Sequence, residues 1–373
     1  MKRLGFGMMR LPMPDPKVQG VVDREAVCGM VDAFLERGFT YFDTAYMYHD
    51  GQSERIIRDC LVGRHPRESF TLTDKLPLML LKDKTAEDQA RIFAEQYEKA
   101  GVDYFDWYFL HNLNADSYET AKRLDSFRFL RERQAEGKFR RLGFSFHDKA
   151  EVLDRILTDH PEVELVQLQI NYLDWEDGGV QSRLCYETAV KHGKPVAVME
   201  PVKGGRLAKL PEEAAKVLAE VHPDWTPARW AIRFAAGLEH VMVVLSGMST
   251  MEQLEENTGM MENPEPLEQA ELDALARAAE IIAAIPAIAC TGCRYCVEGC
   301  PQGIPIPEYF SLYNAEQLGL RQSGASTQRE RYRALAESAA PAGECLVCRK
   351  CEDACPQHLP ITDWLRRTAR ELE

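Results

Sequence analysis

Eight cysteines near the end of the chain have the spacing of ligands to an iron–sulfur cluster. Each set of four follows the pattern C-x2-C-x2-C-x3-C and is followed at once by a proline. Thiolates two residues apart can converge on one face of a cubane, whereas the cysteine before proline usually reaches a neighbouring cluster. Zinc is the weaker interpretation, since its sites need four ligands without the C-P ending. The two sets are Cys290, Cys293, Cys296 and Cys300, and Cys345, Cys348, Cys351 and Cys355.

This spacing predicts two 4Fe-4S clusters with crossed ligand sets. This part of the chain resembles a bacterial-type two-cluster ferredoxin. The helical patterning between Cys300 and Cys345 makes it more similar to the α-helical variety than to the compact β-rich one. The expected sets are Cys290, Cys293, Cys296 and Cys355 for one cluster, and Cys345, Cys348, Cys351 and Cys300 for the other.

Four ionisable residues form a second candidate site, much earlier in the chain. Asp43, Tyr48, Lys75 and His111 each stand at the end of a predicted strand or shortly after it. Taken singly, each has an ordinary explanation, such as a helix cap or a solvated charge. Their joint placement favours chemistry, because a phenol with a pKa of about 10 becomes a better acid when an ammonium lowers that pKa.

These four residues are the groups that reduction of a carbonyl requires. Tyr48 would be the general acid and base, and Lys75 would lower its pKa. Asp43 would hold the ammonium by an ion pair, and His111 would orient the carbonyl oxygen that receives the proton. The expected reaction therefore interconverts a carbonyl and an alcohol.

The elements that must position these residues form a repeating pattern. Eight short β-rich runs alternate with amphipathic helical segments as far as about residue 245, which fits a closed (β/α)8 TIM barrel. An open doubly wound sheet would normally carry a glycine-rich fingerprint, which "GFGMMR" lacks. We expect a barrel over residues 1–282 and a mostly α-helical ferredoxin-like iron–sulfur domain over residues 283–373. The runs contain "LGFGMM", "TYFDTA", "SFTLTDK", "FDWYFLHN", "RLGFSF", "ELVQLQIN", "PVAVME" and "HVMVVLSG".

At the four ionisable residues the chain resembles the aldo-keto reductase family, whose tetrad is Asp, Tyr, Lys and His in this order. The resemblance runs from Leu4 to about Asn257 and includes "LGFGMMRL", "FDTA", "GQSE" and "SGMSTMEQLEEN". It implies NADP or NAD extended across the barrel mouth. The matching positions are Ser145 and Gln169 at the carboxamide, Met199, Pro201 and Val202 after strand seven, Gly204 and Gly205 near phosphate, and Glu256 with Asn257 at the adenine end.

Several residues depart from this family pattern. Met199 stands where a stacking Tyr is common, and Glu200 replaces a small polar residue near the pyrophosphate. A carboxylate there should weaken dinucleotide binding. Gly247 and Gln253 occupy positions where many relatives carry basic residues for the 2′-phosphate, so the choice between NAD and NADP stays open.

Composition narrows the function classes further. A net charge of −14 over 373 residues argues against a nucleic-acid binder. No apolar stretch is long enough for a membrane span, and the N-terminus lacks a signal-peptide core, so we expect a cytoplasmic protein. The three remaining cysteines, Cys28, Cys60 and Cys185, are expected to be buried thiols.

How the two parts cooperate is open, since a hydride carries two electrons and a 4Fe-4S cluster passes one. A flavin would couple them; no flavin motif is found, but the phosphate sites of (β/α)8 barrels could admit one. The first hypothesis is an NAD(P)H-dependent oxidoreductase with auxiliary or connecting clusters. The second is a ferredoxin-linked electron-transfer module, and a third makes the clusters purely structural. A ferredoxin or flavodoxin partner could meet Arg321, Arg329, Arg331 and Arg333, although a solvated helix face is the simpler interpretation.

Overall fold

The computed structural model describes residues 2–14, 21–81, 84–318 and 327–373, and these form two compact units. The first unit comprises Met1–Pro201 and Ile232–Leu267, and the second comprises Val202–Ala231 and Glu268–Glu373. Of the four arginines considered above, Arg321 lies outside the described residues.

The first unit is built on a closed barrel of eight parallel strands in chain order, as the sequence predicts. Every strand pairs with its neighbours in the chain, and β8 closes the ring by pairing with β1. The strands are β1 Leu4–Gly7, β2 Tyr41–Asp43, β3 Thr71–Leu76, β4 Phe105–Leu113, β5 Phe139–Phe146, β6 Leu165–Gln169, β7 Val196–Met199 and β8 Val241–Ser246.

Helices connect the barrel strands and make up most of the cysteine-rich end. Those up to β8 are α1 Arg24–Glu36, α2 Ser53–Ile57, α3 Ala86–Ala100, α4 Ala115–Arg123, α5 Ser126–Ala135, α6 Ala150–Asp159, α7 Ser182–Lys191, α8 Glu212–Ala219 and α9 Pro227–Ala236. The later ones are α10 Met251–Met260, α11 Gln269–Ala283, α12 Ile306–Gln317, α13 Gln328–Ala336, α14 Lys350–Asp353 and α15 Ile361–Leu372.

Large side chains fill the interior of the barrel. Tyr41, Trp107, Phe109 and Leu165 pack there with residues of β7 and β8. Gly143 makes room for this layer, because a Cβ at that position would lie 2.7 Å from Phe109 Cδ1. The barrel is therefore a packed core and not a channel.

This core layer fixes where the candidate catalytic residues lie. Side chains along a strand alternate between faces, so the residue two positions beyond an inward one also points inward. Asp43 follows Tyr41 by two positions, and His111 follows Phe109 by two. The polar site is thus the next layer towards the carboxyl ends of the strands.

The second unit is mostly helical, and its core is formed by buried apolar side chains of α12, α13 and α15 and the segments around them. Tyr309, Tyr313 and Tyr332 are buried in this core, and the Tyr309 and Tyr332 rings are 4.6 Å apart. The predicted division after residue 282 follows chain order. In the structure, the second compact unit also includes Val202–Ala231 and α11, which precede residue 283 in the chain. These two segments are held together because α8 packs against α11.

The prediction of free thiols at Cys28 and Cys60 is wrong, because these two residues form a disulfide. Cys28 lies on α1, and Cys60 lies in a π-helical turn, Arg58–Val62, with the two Cα atoms 4.6 Å apart. Each cysteine sits in its own helical pattern, so nothing local signals that the two elements meet. Cys185 is a buried thiol, as expected.

Within the described residues, no helix combines the length and the apolar character that crossing a membrane requires.

Candidate active site

The structure brings Asp43, Tyr48 and Lys75 together around one buried ammonium. Lys75 is 1% exposed, and its Nζ donates to Asp43 Oδ1 at 2.5 Å and to the Thr44 carbonyl at 2.7 Å. The same nitrogen lies 3.4 Å from Tyr48 Oη. Burial raises the pKa of Asp43, and the Lys75 ammonium opposes that rise. An ammonium at this distance favours the phenolate of Tyr48 by simple electrostatics.

His111 faces the Tyr48 ring edge-on, with 6.0 Å between the ring centroids. Burial holds the pKa of His111 well below its usual range, and the nearby Lys75 and His147 lower it further. The imidazole is therefore neutral at neutral pH. A neutral imidazole carries one N–H, which can donate a hydrogen bond to a carbonyl oxygen.

The "GQSE" segment holds the loop that carries Tyr48. The Ser53 amide donates to the Tyr48 carbonyl at 3.1 Å. The Ser53 and Thr44 hydroxyls share a hydrogen bond of 2.8 Å, and the Thr44 carbonyl accepts from Lys75. The position of the ammonium is thus tied to the conformation of this loop.

Two buried carboxyl groups lie behind the site and were not predicted from the sequence. Glu54 and Asp74 are fully buried and lie close enough for each to influence the pKa of the other. Gln96 Nε2 donates to both Glu54 Oε1 and the Lys75 carbonyl at 3.0 Å, and Lys99 lies 3.5 Å from Glu54 Oε2. Burial raises the pKa of both carboxyl groups, and for Asp74 the neighbouring Glu54 raises it further.

The two residues expected to hold the nicotinamide carboxamide lie at the carboxyl ends of two neighbouring strands. Ser145 Oγ on β5 accepts a hydrogen bond from the backbone N–H of Asn112 at 2.8 Å. Gln169 Nε2, at the end of β6, donates to Asp174 Oδ2 at 2.8 Å, and Asn171 Nδ2 donates to the same oxygen at 2.7 Å. Asp174 therefore orients Gln169. The sequence offered only a weak signal for it, a carboxylate five residues beyond the strand end.

Glu200, which follows Met199 and precedes Pro201, is not an isolated negative charge. Arg10 Nη2 lies 3.8 Å from Glu200 Oε1. Gly247 lets Arg10 approach, because a Cβ at residue 247 would lie 3.0 Å from Arg10 Cβ. The Glu200 carboxylate, which we expected to repel a dinucleotide, is thus paired with Arg10, a cation in the loop after β1.

Residues predicted at the adenine end belong to β8, α10 and the loop between them. Gln253 Oε1 accepts from the Ser249 amide at 2.7 Å, so its side chain caps this loop. Asn257 Nδ2 donates to Ser246 Oγ at 3.0 Å and is buried, and Glu256 lies beside it on α10.

Three residues predicted at the cofactor, Val202, Gly204 and Gly205, fall in the second compact unit. Gly204 has φ +64° and lies against the first cysteine motif, where a Cβ would be 2.7 Å from Thr291 Cα. Gly205 has φ +92°, and a Cβ there would have nothing within 4 Å. Gly204 is therefore required by a close backbone approach to Thr291, which the glycine pair alone did not reveal.

The eight motif cysteines line two cavities of the second unit. Ile306 lines both cavities. Among the described residues, no three Cys, His, Asp or Glu side chains converge on a point suited to one metal ion. Each cavity is instead lined by four thiols, the ligand number of a 4Fe-4S cluster. Cys290, Cys293, Cys296 and Cys355 line the first cavity, and Cys300, Cys345, Cys348 and Cys351 line the second.

A closed (β/α)8 barrel with a buried Asp–Lys pair, a Tyr and a neutral His at one end defines a barrel oxidoreductase. The sequence model of the Aldo/keto reductase family matches residues 3–280, and the chain belongs to that family. A second model, the 4Fe-4S dicluster domain, matches residues 289–359.

Solved structures of aldo-keto reductases share the fold at low sequence identity. One from Bacillus halodurans, in its holo form, is 23% identical with a TM-score of 0.57, covering 74% of this chain and 91% of that one. One from Klebsiella pneumoniae, in complex with NADP and acetate, is 20% identical with a TM-score of 0.57, covering 74% and 90%.

A curated human relative matches only a short stretch of the chain. Aflatoxin B1 aldehyde reductase member 2 from Homo sapiens is 47% identical over 53 residues. This stretch is 12% of the chain and spans 15% of the human protein's length.

Gly204→Ala should destabilise the protein more than Gly205→Ala. Both substitutions put a side chain at positive φ, so they share that penalty of about 1 kcal/mol. Only Gly204→Ala also forces a methyl group against Thr291, which should cost about 1–3 kcal/mol more. Thermal unfolding and iron content of the two variants measure the difference. Equal stability of the two variants would show that the Thr291 contact has no such role.

Asp74→Asn should make stability less dependent on pH. A carboxyl group with a raised pKa in the folded state stabilises the protein below its unfolded pKa of about 4, and this stability is lost as pH rises through the folded pKa. The wild-type free energy of unfolding should therefore fall with rising pH more steeply than that of Asp74→Asn. Urea unfolding at several pH values tests this, with the exposed Asp103→Asn as control. Parallel curves for wild type and Asp74→Asn would contradict the role given to Asp74.

Proposed function

We propose that this protein interconverts a carbonyl and an alcohol with NAD(P)H, using Tyr48 as the general acid and base. The observation that carries the proposal is the buried Lys75 ammonium, which contacts both Asp43 Oδ1 and Tyr48 Oη. Family membership supports an oxidoreductase of this type.

The roles of the chain's own residues follow from this geometry. In the reducing direction Tyr48 Oη gives its proton to the carbonyl oxygen, and the Lys75 ammonium stabilises the phenolate that remains. Asp43 pairs with the ammonium and holds it in place. Neutral His111 donates a hydrogen bond that orients the substrate oxygen. The bound nicotinamide would supply or accept the hydride.

The residues at the barrel mouth fit a dinucleotide. Ser145 and Gln169 offer a hydroxyl and an amide at adjacent strand ends, which suits a carboxamide with both donor and acceptor atoms. Arg10 is a cation near the predicted pyrophosphate position, but Glu200 competes for it. The Klebsiella pneumoniae structure holds NADP. For this protein the proposed cofactor is NADP or NAD.

The two cysteine-lined cavities fit 4Fe-4S clusters, because each presents four thiols around a volume and the dicluster family model covers the region. We therefore assign Cys290, Cys293, Cys296 and Cys355 to one cluster and Cys300, Cys345, Cys348 and Cys351 to the other. Such clusters supply one-electron transfer when bound. These cavities also favour the second candidate function, an electron-transfer module linked to a ferredoxin-type partner.

Tyr48→Phe should reduce carbonyl turnover by roughly 10²- to 10⁴-fold, because it removes the proton that the substrate oxygen receives. The measurement is NAD(P)H oxidation with a panel of aldehydes and ketones, using anaerobically purified protein. Tyr46→Phe is the matched control, since Tyr46 lies in the same loop but donates to Glu95 at 2.8 Å.

Two outcomes would contradict the assigned mechanism. Turnover retained in Tyr48→Phe would exclude Tyr48 as the proton donor. Electron transfer from a reduced low-potential donor that survives Tyr48→Phe, with no carbonyl turnover in wild type, would favour the electron-transfer module instead.

The crossed ligand sets can be tested by pairing single substitutions. Cys290→Ala and Cys355→Ala should disturb the same cluster, and their electron paramagnetic resonance spectra after dithionite reduction should be alike. Cys345→Ala and Cys300→Ala should share a different spectrum, because they affect the other cavity. Cys185→Ala, a buried thiol far along the chain from both motifs, is the control. A spectrum of Cys355→Ala that matches Cys345→Ala would show that the sets are not crossed.

A further inference from the structure

The backbone directly after Tyr48 is left-handed for three residues in succession. His49 has φ +52°, Asp50 has φ +53° and Gly51 has φ +77°. Glycine adopts this region freely, whereas other residues rarely do and stay there only where the surrounding structure holds them. His49 therefore needs a contact that fixes it in this conformation.

The His49 side chain makes that contact with the loop after β1. Its Nε2 accepts a hydrogen bond from the Leu11 backbone N–H at 3.0 Å. A ring nitrogen accepts only when it carries no proton, so the imidazole is neutral and its proton is on Nδ1. Burial lowers the pKa of His49 to about 4, an effect that Asp50 opposes and Arg10 increases. The acceptor nitrogen is thus available at neutral pH.

The same loop also contacts both ends of the Tyr48 loop, which comprises residues 44–52 between β2 and α2. The Met8 backbone N–H donates to the Asp43 carbonyl at 2.9 Å, just before the Tyr48 loop. The Met8 carbonyl accepts from Ser53 Oγ at 3.3 Å, just after it. The two ends of the Tyr48 loop are therefore tied to one short segment of chain.

The hydrogen bond of His49 adds a contact in the middle of the Tyr48 loop. Its donor is well fixed, because the Leu11 side chain is buried and the preceding carbonyl, that of Arg10, accepts from Ser249 Oγ at 2.9 Å. A contact at each end limits where the loop begins and ends. The contact at His49 limits where the residue next to it, Tyr48, can lie.

The chemistry assigned to Tyr48 is sensitive to such a limit. Tyr48 Oη lies 3.4 Å from Lys75 Nζ, which is already long for a hydrogen bond. A small outward movement of the Tyr48 loop would remove this contact. Misplacement of a reacting group by about 1 Å can slow a reaction by about 10²-fold.

We propose that His49 is a positioning residue, which holds Tyr48 beside Lys75 by accepting the hydrogen bond from Leu11. The proposal rests on the proposed function, in which Tyr48 gives its proton to the carbonyl oxygen. The imidazole acts only as an acceptor for a backbone N–H, so it neither gains nor loses a proton during turnover.

Two substitutions of His49 separate the acceptor from the rest of the side chain. His49→Gly removes the acceptor, and it should lower kcat roughly 10- to 100-fold with little change in KM. His49→Gln should keep most of the activity, because its side-chain carbonyl can accept from the Leu11 N–H at a similar reach. The assay is NAD(P)H oxidation with an aldehyde or ketone that the wild type reduces.

Asp50→Gly is the matched control for the glycine substitution. Asp50 is exposed and has nearly the same φ as His49, so this change introduces the same flexibility and relieves the same backbone strain. It should leave kcat within about twofold of the wild type, since Leu11 keeps its acceptor. Both glycine variants should fold, because glycine adopts the left-handed backbone that the loop already has.

A second measurement follows Tyr48 without turnover. The ionisation of its phenol is read as the ultraviolet difference between each protein and its Tyr48→Phe derivative over a pH series. In His49→Gly this ionisation should move to higher pH, because a displaced phenolate loses the stabilisation that the Lys75 ammonium gives it. His49→Gln and Asp50→Gly should titrate like the wild type.

Three results would overturn the inference. His49→Gly could keep both the wild-type kcat and the wild-type titration of Tyr48. His49→Gln could be as slow as His49→Gly, so that the acceptor would not matter, or Asp50→Gly could be equally slow, so that loop flexibility would explain the loss. A wild type that reduces no carbonyl would reject the proposed function alone, because the titration of Tyr48 still tests the role of His49.

Discussion

The buried ammonium of Lys75 is the constraint on which the barrel mouth depends. An isolated charge in an apolar interior is very unfavourable, so it must be paired and hydrogen-bonded on every accessible side. Asp43 supplies the counter-charge, the Thr44 carbonyl a further acceptor and Tyr48 the third contact. Removing any of these acceptors would leave the cation short of partners. The contacts of Lys75 therefore connect the end of β3 to the end of β2 and the loop after it.

On strand β3, a paired cation and a buried carboxyl group occupy consecutive positions. Lys75 and Asp74 are neighbours in the chain, but strand geometry sends them to opposite faces. The inner face keeps a paired charge available for chemistry, while the outer face buries Asp74 beside Glu54 under conditions that favour protonation. Gln96 spans the two by donating to both Glu54 and the Lys75 carbonyl.

Features that follow from periodicity were predictable from the sequence. The eight strands and the helical cysteine-rich end are confirmed, because alternation of apolar residues and the ends of strands are local properties. The tetrad residues could be nominated for the same reason. The Cys28–Cys60 disulfide, the Glu54–Asp74 pair and the packing of Gly204 on Thr291 could not, since each depends on elements distant in the chain that meet only in the folded protein.

Ile306 connects the two halves of the cysteine-rich unit. Its side chain belongs to the lining of both cysteine cavities, and it begins α12, whose Tyr309 and Tyr313 are buried in the core of the same unit. Because both sets of motif cysteines pack around this one side chain, a change in its position alters both cavities at once.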